Sequence, residues 1–140
     1  MKNIMKICLI LGSLIAALFS VPASAANKIT VTVENHTAGT ITLVSSSGGG
    51  SFPSALVSGQ VATFTIDNPW STSDVQATYM SPSGTGGCKF AGSHTTNSSG
   101  PVYSSSAEGY GTTSSSFCLV FLTEKWSVPY DYKLKFSMFQ

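Results

Sequence analysis

Arginine is absent from the 140 residues, and charged side chains make up only 9% of them. A chain without guanidinium groups lacks the fork that grips phosphates in pairs of hydrogen bonds. Nucleic-acid affinity rests on clustered Lys and Arg, so no nucleic-acid partner is expected. Histidine is nearly as scarce, with His36 and His94 alone. The motifs H-E-x-x-H and G-x-S-x-G do not occur, and the "GGGS" of residues 48–51 lacks the Lys that a phosphate loop requires. The six acids, Glu34, Asp67, Asp74, Glu108, Glu124 and Asp131, are scattered along the chain. Their spacing sets no carboxylate pair for acid and base work. Asp67, Asn68 and Asp74 are oxygen donors without the spacing of a calcium loop, and they read as turn residues. The expected protein is non-catalytic, with no catalytic residue, metal or cofactor assigned.

What is present begins with "MKNIMKICLILGSLIAALFSVPASA". A short basic start, an apolar run and an Ala-Ser-Ala ending have the form of a secretory signal peptide, with cleavage expected between Ala25 and Ala26. The apolar run is shorter than the roughly 18 residues of a membrane span. Cys8 lies inside that run, not at its end where a lipid-modified cysteine would sit. The expected location is therefore secreted, extracellular or periplasmic, in a bacterial host. Two N-x-[ST] sequons, at Asn35 and Asn97, matter only in a eukaryotic one. Of the seven basic residues, Lys2 and Lys6 leave with the signal, so five remain against six acids and the formal charge becomes −1.

Cys8 leaves too, and the question posed by "GGCKFAGSH" concerns Cys88, six residues before His94. It is an activated thiol, a metal ligand or half of a disulfide. In an exported chain an even pair of cysteines reads as a Cys88–Cys118 bridge, and Cys118 would trap any free thiolate.

Beyond residue 25 no stretch has helical periodicity, and alternation of period two recurs. Ile29, Val31 and Val33 alternate with Lys28, Thr30, Thr32 and Glu34, and after "NHTAG" the segment "TITLV" alternates again, which predicts a hairpin. "SSSGGGS" reads as a mobile connection. Strands follow in "QVATFTI", in "VQATYM" and from Cys88 onward. Residues 91–116, rich in Ser, Gly and Thr, read as a long loop with one short strand near "PVYSS". The continuous run "FCLVFL" predicts a strand buried on both faces, and "DYKLKFSMF" alternates once more. About seven short strands in residues 26–140 point to an all-β fold, a single antiparallel β-sandwich domain with one disulfide.

The aromatic residues carry the functional signal. Trp70 falls in a turn, and "KWSVPYDY" places Trp126 and Tyr130 beside Pro129 before the last strand. Exposed Trp and Tyr combine an apolar body with a polar tip, which suits a membrane interface or a sugar-stacking platform. Trp70, Trp126 and Tyr130 are the candidate contacts for a membrane lipid or a cell-surface glycan. Because the surface carries little charge, self-association into a homo-oligomer, as a structural envelope or matrix protein, is the alternative expectation, ahead of a secreted enzyme.

Two segments resemble the aegerolysin family. Residues 31–52, "VTVENHTAGTITLVSSSGGGSF", resemble that family's opening hairpin, and "SPSGTGG" of residues 81–87 resembles its Ser-Pro-Ser-Gly-Thr-x-Gly stretch. The resemblance implies a small β-sandwich that binds membrane lipids and works with a separate pore-forming partner. The family's Trp-Gly segment after the hairpin is missing here, and "NPW" precedes the Ser-Pro-Ser stretch instead of following it. No lipid-contact residue is therefore carried over by position. Labelling of the unreduced exported protein with a thiol reagent is expected to leave both Cys88 and Cys118 unmodified; one equivalent of label would restore the reactive-thiol reading.

Overall fold

Residues with β-branched and aromatic side chains at every second position dominate a computed structural model that describes residues 26–140, apart from the side chain of Ser116. The expected signal peptide, residues 1–25, lies outside the described residues. Nine strands run in order: β1 (Asn27–His36), β2 (Ile41–Ser47), β3 (Ala55–Leu56), β4 (Val61–Asn68), β5 (Thr72–Met80), β6 (Gly86–Asn97), β7 (Gly100–Gly111), β8 (Cys118–Glu124) and β9 (Tyr132–Phe139). The only helical piece among the described residues is a 3₁₀ turn at Ser115–Phe117. The described residues are all-β, in two sheets with strand orders β4-β1-β9-β8 and β3-β2-β5-β6-β7.

Both sheets contribute to one apolar core. Ile29, Val31 and Val33 of β1 and Leu134 and Phe136 of β9 meet Val75, Ala77 and Tyr79 of β5 and Phe90 of β6. Phe90 stacks on Phe136 with ring centroids 4.9 Å apart, and the Cys88–Cys118 disulfide ties β6 of one sheet to β8 of the other. Gly92 faces the Leu134 side chain so closely that a Cβ would collide with both of its methyl groups.

Several expectations are corrected. β1 and β2 do not form a hairpin: β1 pairs with β4 and β9, whereas β2 pairs with β3 and β5 in the other sheet. "NHTAG" is an arch between sheets, and the buried Asn35 side chain supplies the hydrogen bonds that a ladder would have given. Its Nδ2 donates to the carbonyls of Gly39 and Leu56, both at 2.8 Å, and its Oδ1 accepts from the Thr37 amide at 2.9 Å. The sheets are not wholly antiparallel either, because β1 and β9 pair in parallel. Parallel neighbours need a long crossover, and the whole chain between these two strands serves as one.

The largest correction concerns residues 91–116, which are not a long loop. β6 and β7 form a continuous antiparallel ladder from Gly86↔Gly111 to Asn97↔Gly100. The inward positions of this ladder carry Gly92, His94, Tyr103 and Ala107 in place of large aliphatics, so its alternation is invisible to hydrophobicity. "FCLVFL" is buried on one face only, with Leu119 40% and Phe121 52% exposed. It forms β8 at the edge of the four-stranded sheet, with solvent on its outer face. β3 and the full length of β7 raise the strand count from about seven to nine. In "SSSGGGS" the serines extend β2, and Gly48 adopts φ 87° so close to Asp74 that a Cβ would strike its carbonyl oxygen.

The bridge closes a separation of 30 residues, for which chain entropy gives about 3–4 kcal/mol. Replacing both Cys88 and Cys118 by Ala is expected to lower unfolding stability by up to that amount in urea titrations. Gly92→Ala should cost about 1–3 kcal/mol through overpacking against Leu134; an unchanged midpoint would mean that Leu134 moves freely.

Candidate functional site

Four stretches of chain end together at one end of the sheets. The register pairs Asn27 with Asn68, Ile29 with Tyr132, Thr72 with Thr95, and Asn97 with Gly100. The start of β1, the turn at 69–71, the β6–β7 turn and the 125–131 connection therefore share this end. It gathers all three candidate contacts: Trp70 is 72% exposed, Trp126 66%, and Tyr130 is half-buried. Val128, 66% exposed, adds an apolar side chain that the sequence reading had not singled out.

Asparagine side chains hold these loops. The Asn68 amide donates to the carbonyls of Trp70 and Thr72 at 3.3 and 2.9 Å, and its Oδ1 accepts from the Trp70 N–H at 3.3 Å. Asn27 bridges two loops: its Nδ2 donates to the Trp70 carbonyl at 3.2 Å, and its Oδ1 accepts from the Tyr130 N–H at 2.8 Å. The Thr96 N–H donates to the Ser71 carbonyl at 3.0 Å. Across the base of the 125–131 connection, Lys125 Nζ pairs with Asp131 Oδ2 at 3.4 Å, while Asp131 Oδ1 accepts from the Lys28 N–H at 2.7 Å. An exposed ion pair of this kind is worth under about 1 kcal/mol. The asparagine bonds, made at the roots of the loops, fix the positions.

Beneath the loops lies an aromatic cluster around His94, which is fully buried. Its ring lies 5.0 Å from Tyr103, 5.8 Å from Tyr130 and 6.1 Å from Tyr132, measured between centroids. Tyr103 in turn meets Trp126 edge-on at 5.9 Å and donates its hydroxyl to the Lys125 carbonyl at 2.6 Å. Tyr132 exchanges a hydrogen bond of 2.8 Å with Ser73. The His94 Nε2 lies 3.2 Å from the Thr96 hydroxyl, while its Nδ1 is buried with no partner. Burial pushes the His94 pKa below its ordinary value, because the imidazolium would lose its water. Burial first, and then the negative charge of Glu124, raises the Tyr103 pKa, so that ring stays neutral.

The Cys88 question is settled by this geometry. Cys88 is bonded to Cys118, and six residues of extended strand put His94 about 20 Å along β6. His94 is thus no partner of the sulfur but the hub of the aromatic end. Its place and that of Tyr103 were missed because both fell in the supposed loop; the β6–β7 register that sets them opposite each other would have revealed the pair. Among the described residues no three His, Cys, Asp or Glu side chains are grouped to hold a metal ion. Asn68 spends its side chain on the turn, and Asp74 accepts from Gln76 Nε2 at 3.0 and 3.2 Å.

The chain matches no protein-family model, and no curated protein is similar to it at a significant level.

His94 makes stability depend on pH. Its folded pKa lies below the unfolded value of about 6.5, so the unfolded state binds the proton first as pH falls. Stability is expected to be flat above about pH 6.5 and to decline below it by at most about 1.4 kcal/mol per pH unit until the folded value is passed. Glu34 acts in a separate, more acidic window. Burial opposes its ionisation, but hydrogen bonds from His36 and Ser137 and the charge of Lys135 outweigh that and lower its pKa. Urea midpoints at pH 7.5 and 5.0 should differ in the native protein and converge in His94→Gln; an equal difference in the variant would remove His94 as the cause.

Proposed function

We propose that the protein is an exported, non-catalytic β-sandwich module that engages a membrane surface through the aromatic end. The observation that carries this reading is the exposure of Trp70, Trp126 and Val128 at one end of a chain whose surface is otherwise rich in Ser and Thr. Tryptophan is enriched where one end of a contact is apolar and the other wet, and this is the chemistry of the membrane–water boundary. Scattered exposed apolar residues are ordinary on any protein. Three on loops tied together by Asn27 and Asn68 constitute a patch. The low charge fits the same reading, because the contact relies on apolar and hydrogen-bonding surface and not on attraction to anionic headgroups. The resemblance to aegerolysins and the disulfide, which is compatible with an oxidising compartment, point the same way.

A second reading, self-association, is favoured by β8. This edge strand exposes Leu119 and Phe121 on one face and has no Lys or Pro between Cys118 and Thr123 to discourage pairing.

Tryptophan emission of the disulfide-intact protein, titrated with vesicles of varied lipid composition, tests the membrane reading. A blue shift that depends on composition is expected, with partitioning about tenfold weaker in Trp126→Ser. No shift with any lipid would sink it, and oligomers that dissociate in Phe121→Lys would favour the second reading instead.

A further inference from the structure

Between the turn at 69–71 and the 125–131 connection lies an open hollow of about 290 Å³, lined by Asn27, Pro69, Trp70, Ser71, Thr96, Val128 and Tyr130. We propose that this hollow binds one neutral, hydroxylated ring of the hexopyranose class. The proposal rests on the reading of the aromatic end as a surface-contact site and names the ligand chemistry that it takes.

Size is the first argument. Pockets for drug-sized ligands hold about 300–1,000 Å³, so this hollow accommodates a single ring and not a chain of them at once. Charge is the second. No Lys, Asp, Glu or His lines it, and a charged ligand would lose hydration there without gaining a partner. The walls are the third. Trp70 and Tyr130 line it with aromatic rings, whose faces carry negative charge above the ring plane and attract the weakly positive C–H face of a sugar. Pro69 and Val128 extend the apolar lining. For the ring's hydroxyls, Ser71 offers a hydroxyl that makes no hydrogen bond among the described residues, and the Thr96 hydroxyl keeps capacity beyond its contact with His94 Nε2.

The hollow is also built in advance. Asn27 joins the Trp70 carbonyl to the Tyr130 amide, Asn68 brackets Trp70, and the Thr96 amide holds Ser71. Both walls are therefore tethered by hydrogen bonds to their backbone groups before any ligand arrives, which reduces the ordering cost of binding. Asn27 spends one amide donor and one acceptor lone pair on these tethers and acts as a positioning residue.

The same ring could be offered free, on a glycan or as the headgroup of a neutral glycolipid. Ligand-observed NMR with disulfide-intact protein and glucose, galactose, mannose and N-acetylglucosamine, beside glucuronic acid and glucosamine as charged counterparts, tests the chemistry. At least one neutral sugar is expected to bind saturably and at least tenfold more tightly than the charged pair. Trp70→Ala should weaken it tenfold or more, and Trp70→Phe should retain most of it. Absence of binding by every neutral sugar, or binding indifferent to Trp70→Ala, would overturn the proposal. Phosphatidylcholine vesicles with and without a neutral hexosyl lipid separate the sources, since gain on glycolipid vesicles alone identifies the headgroup. Partition onto bare vesicles with no response to sugar would refute this inference and spare the membrane reading. Sugar binding in solution with no vesicle binding would do the reverse.

Discussion

Cys88, Phe90, Gly92 and His94 point inward from alternate positions of β6, and each meets a counterpart in the other sheet. Cys88 is bonded to Cys118 of β8, Phe90 stacks on Phe136, Gly92 admits Leu134, and His94 lies beside Tyr132. This row of contacts runs the length of the core and sets how closely the two sheets approach. Its composition changes along the way, from a covalent bond through apolar packing to an aromatic and polar cluster. The last of these contacts reaches the aromatic end, because His94 lies beside Tyr130 and beside Tyr103, which packs against Trp126.

The two ends of the protein solve the same problem differently. At each, chain leaves a sheet and must satisfy backbone groups that the ladder no longer serves. At the arch after β1, the Asn35 side chain does this in the interior, and the residues around it are polar and mutually bonded, with Ser58 Oγ donating to the Thr37 carbonyl at 2.6 Å. At the aromatic end, Asn27 and Asn68 satisfy the backbone at the roots of the loops. The loop side chains are thereby left free, and they are Trp70, Trp126 and Val128. Hydrogen bonding of the backbone at the loop roots permits an apolar surface above it.

The scarcity of charge acquires a physical meaning from this arrangement. Among the described residues the close ion pairs are few and lie on the four-stranded sheet and its flanking connection, between Glu34 and Lys135 and between Lys125 and Asp131. The outer positions of the five-stranded sheet are mostly hydroxyls and small side chains, such as the Ser93–Ser104 pair at 2.7 Å. Such a surface neither steers ligands over distance nor repels neutral ones. What such a surface offers is short-range contact, of the kind exposed aromatic loops make.

Local chemistry made much of this legible in the amino-acid sequence. β1, β4, β5 and β9 alternate because one face of each is buried, and the disulfide joins the two cysteines that lie beyond the expected signal peptide. The turn residues Trp70, Trp126 and Tyr130 stood out because large aromatics have no local reason to sit in turns. The β6–β7 ladder was hidden, since its inward positions hold Gly, His and Ala, chosen to fit Leu134 and the tyrosines and not to bury area of their own. The exposure of Leu119 and Phe121 was hidden too, because an apolar run does not say whether a strand lies at an edge. Nor could alternation tell that β1 and β2 belong to different sheets, or that β1 lies parallel to β9. Period two is a property of neighbouring residues, whereas sheet membership, strand order and the meeting of 69–71 with 125–131 are set by pairing and packing between segments far apart in the chain.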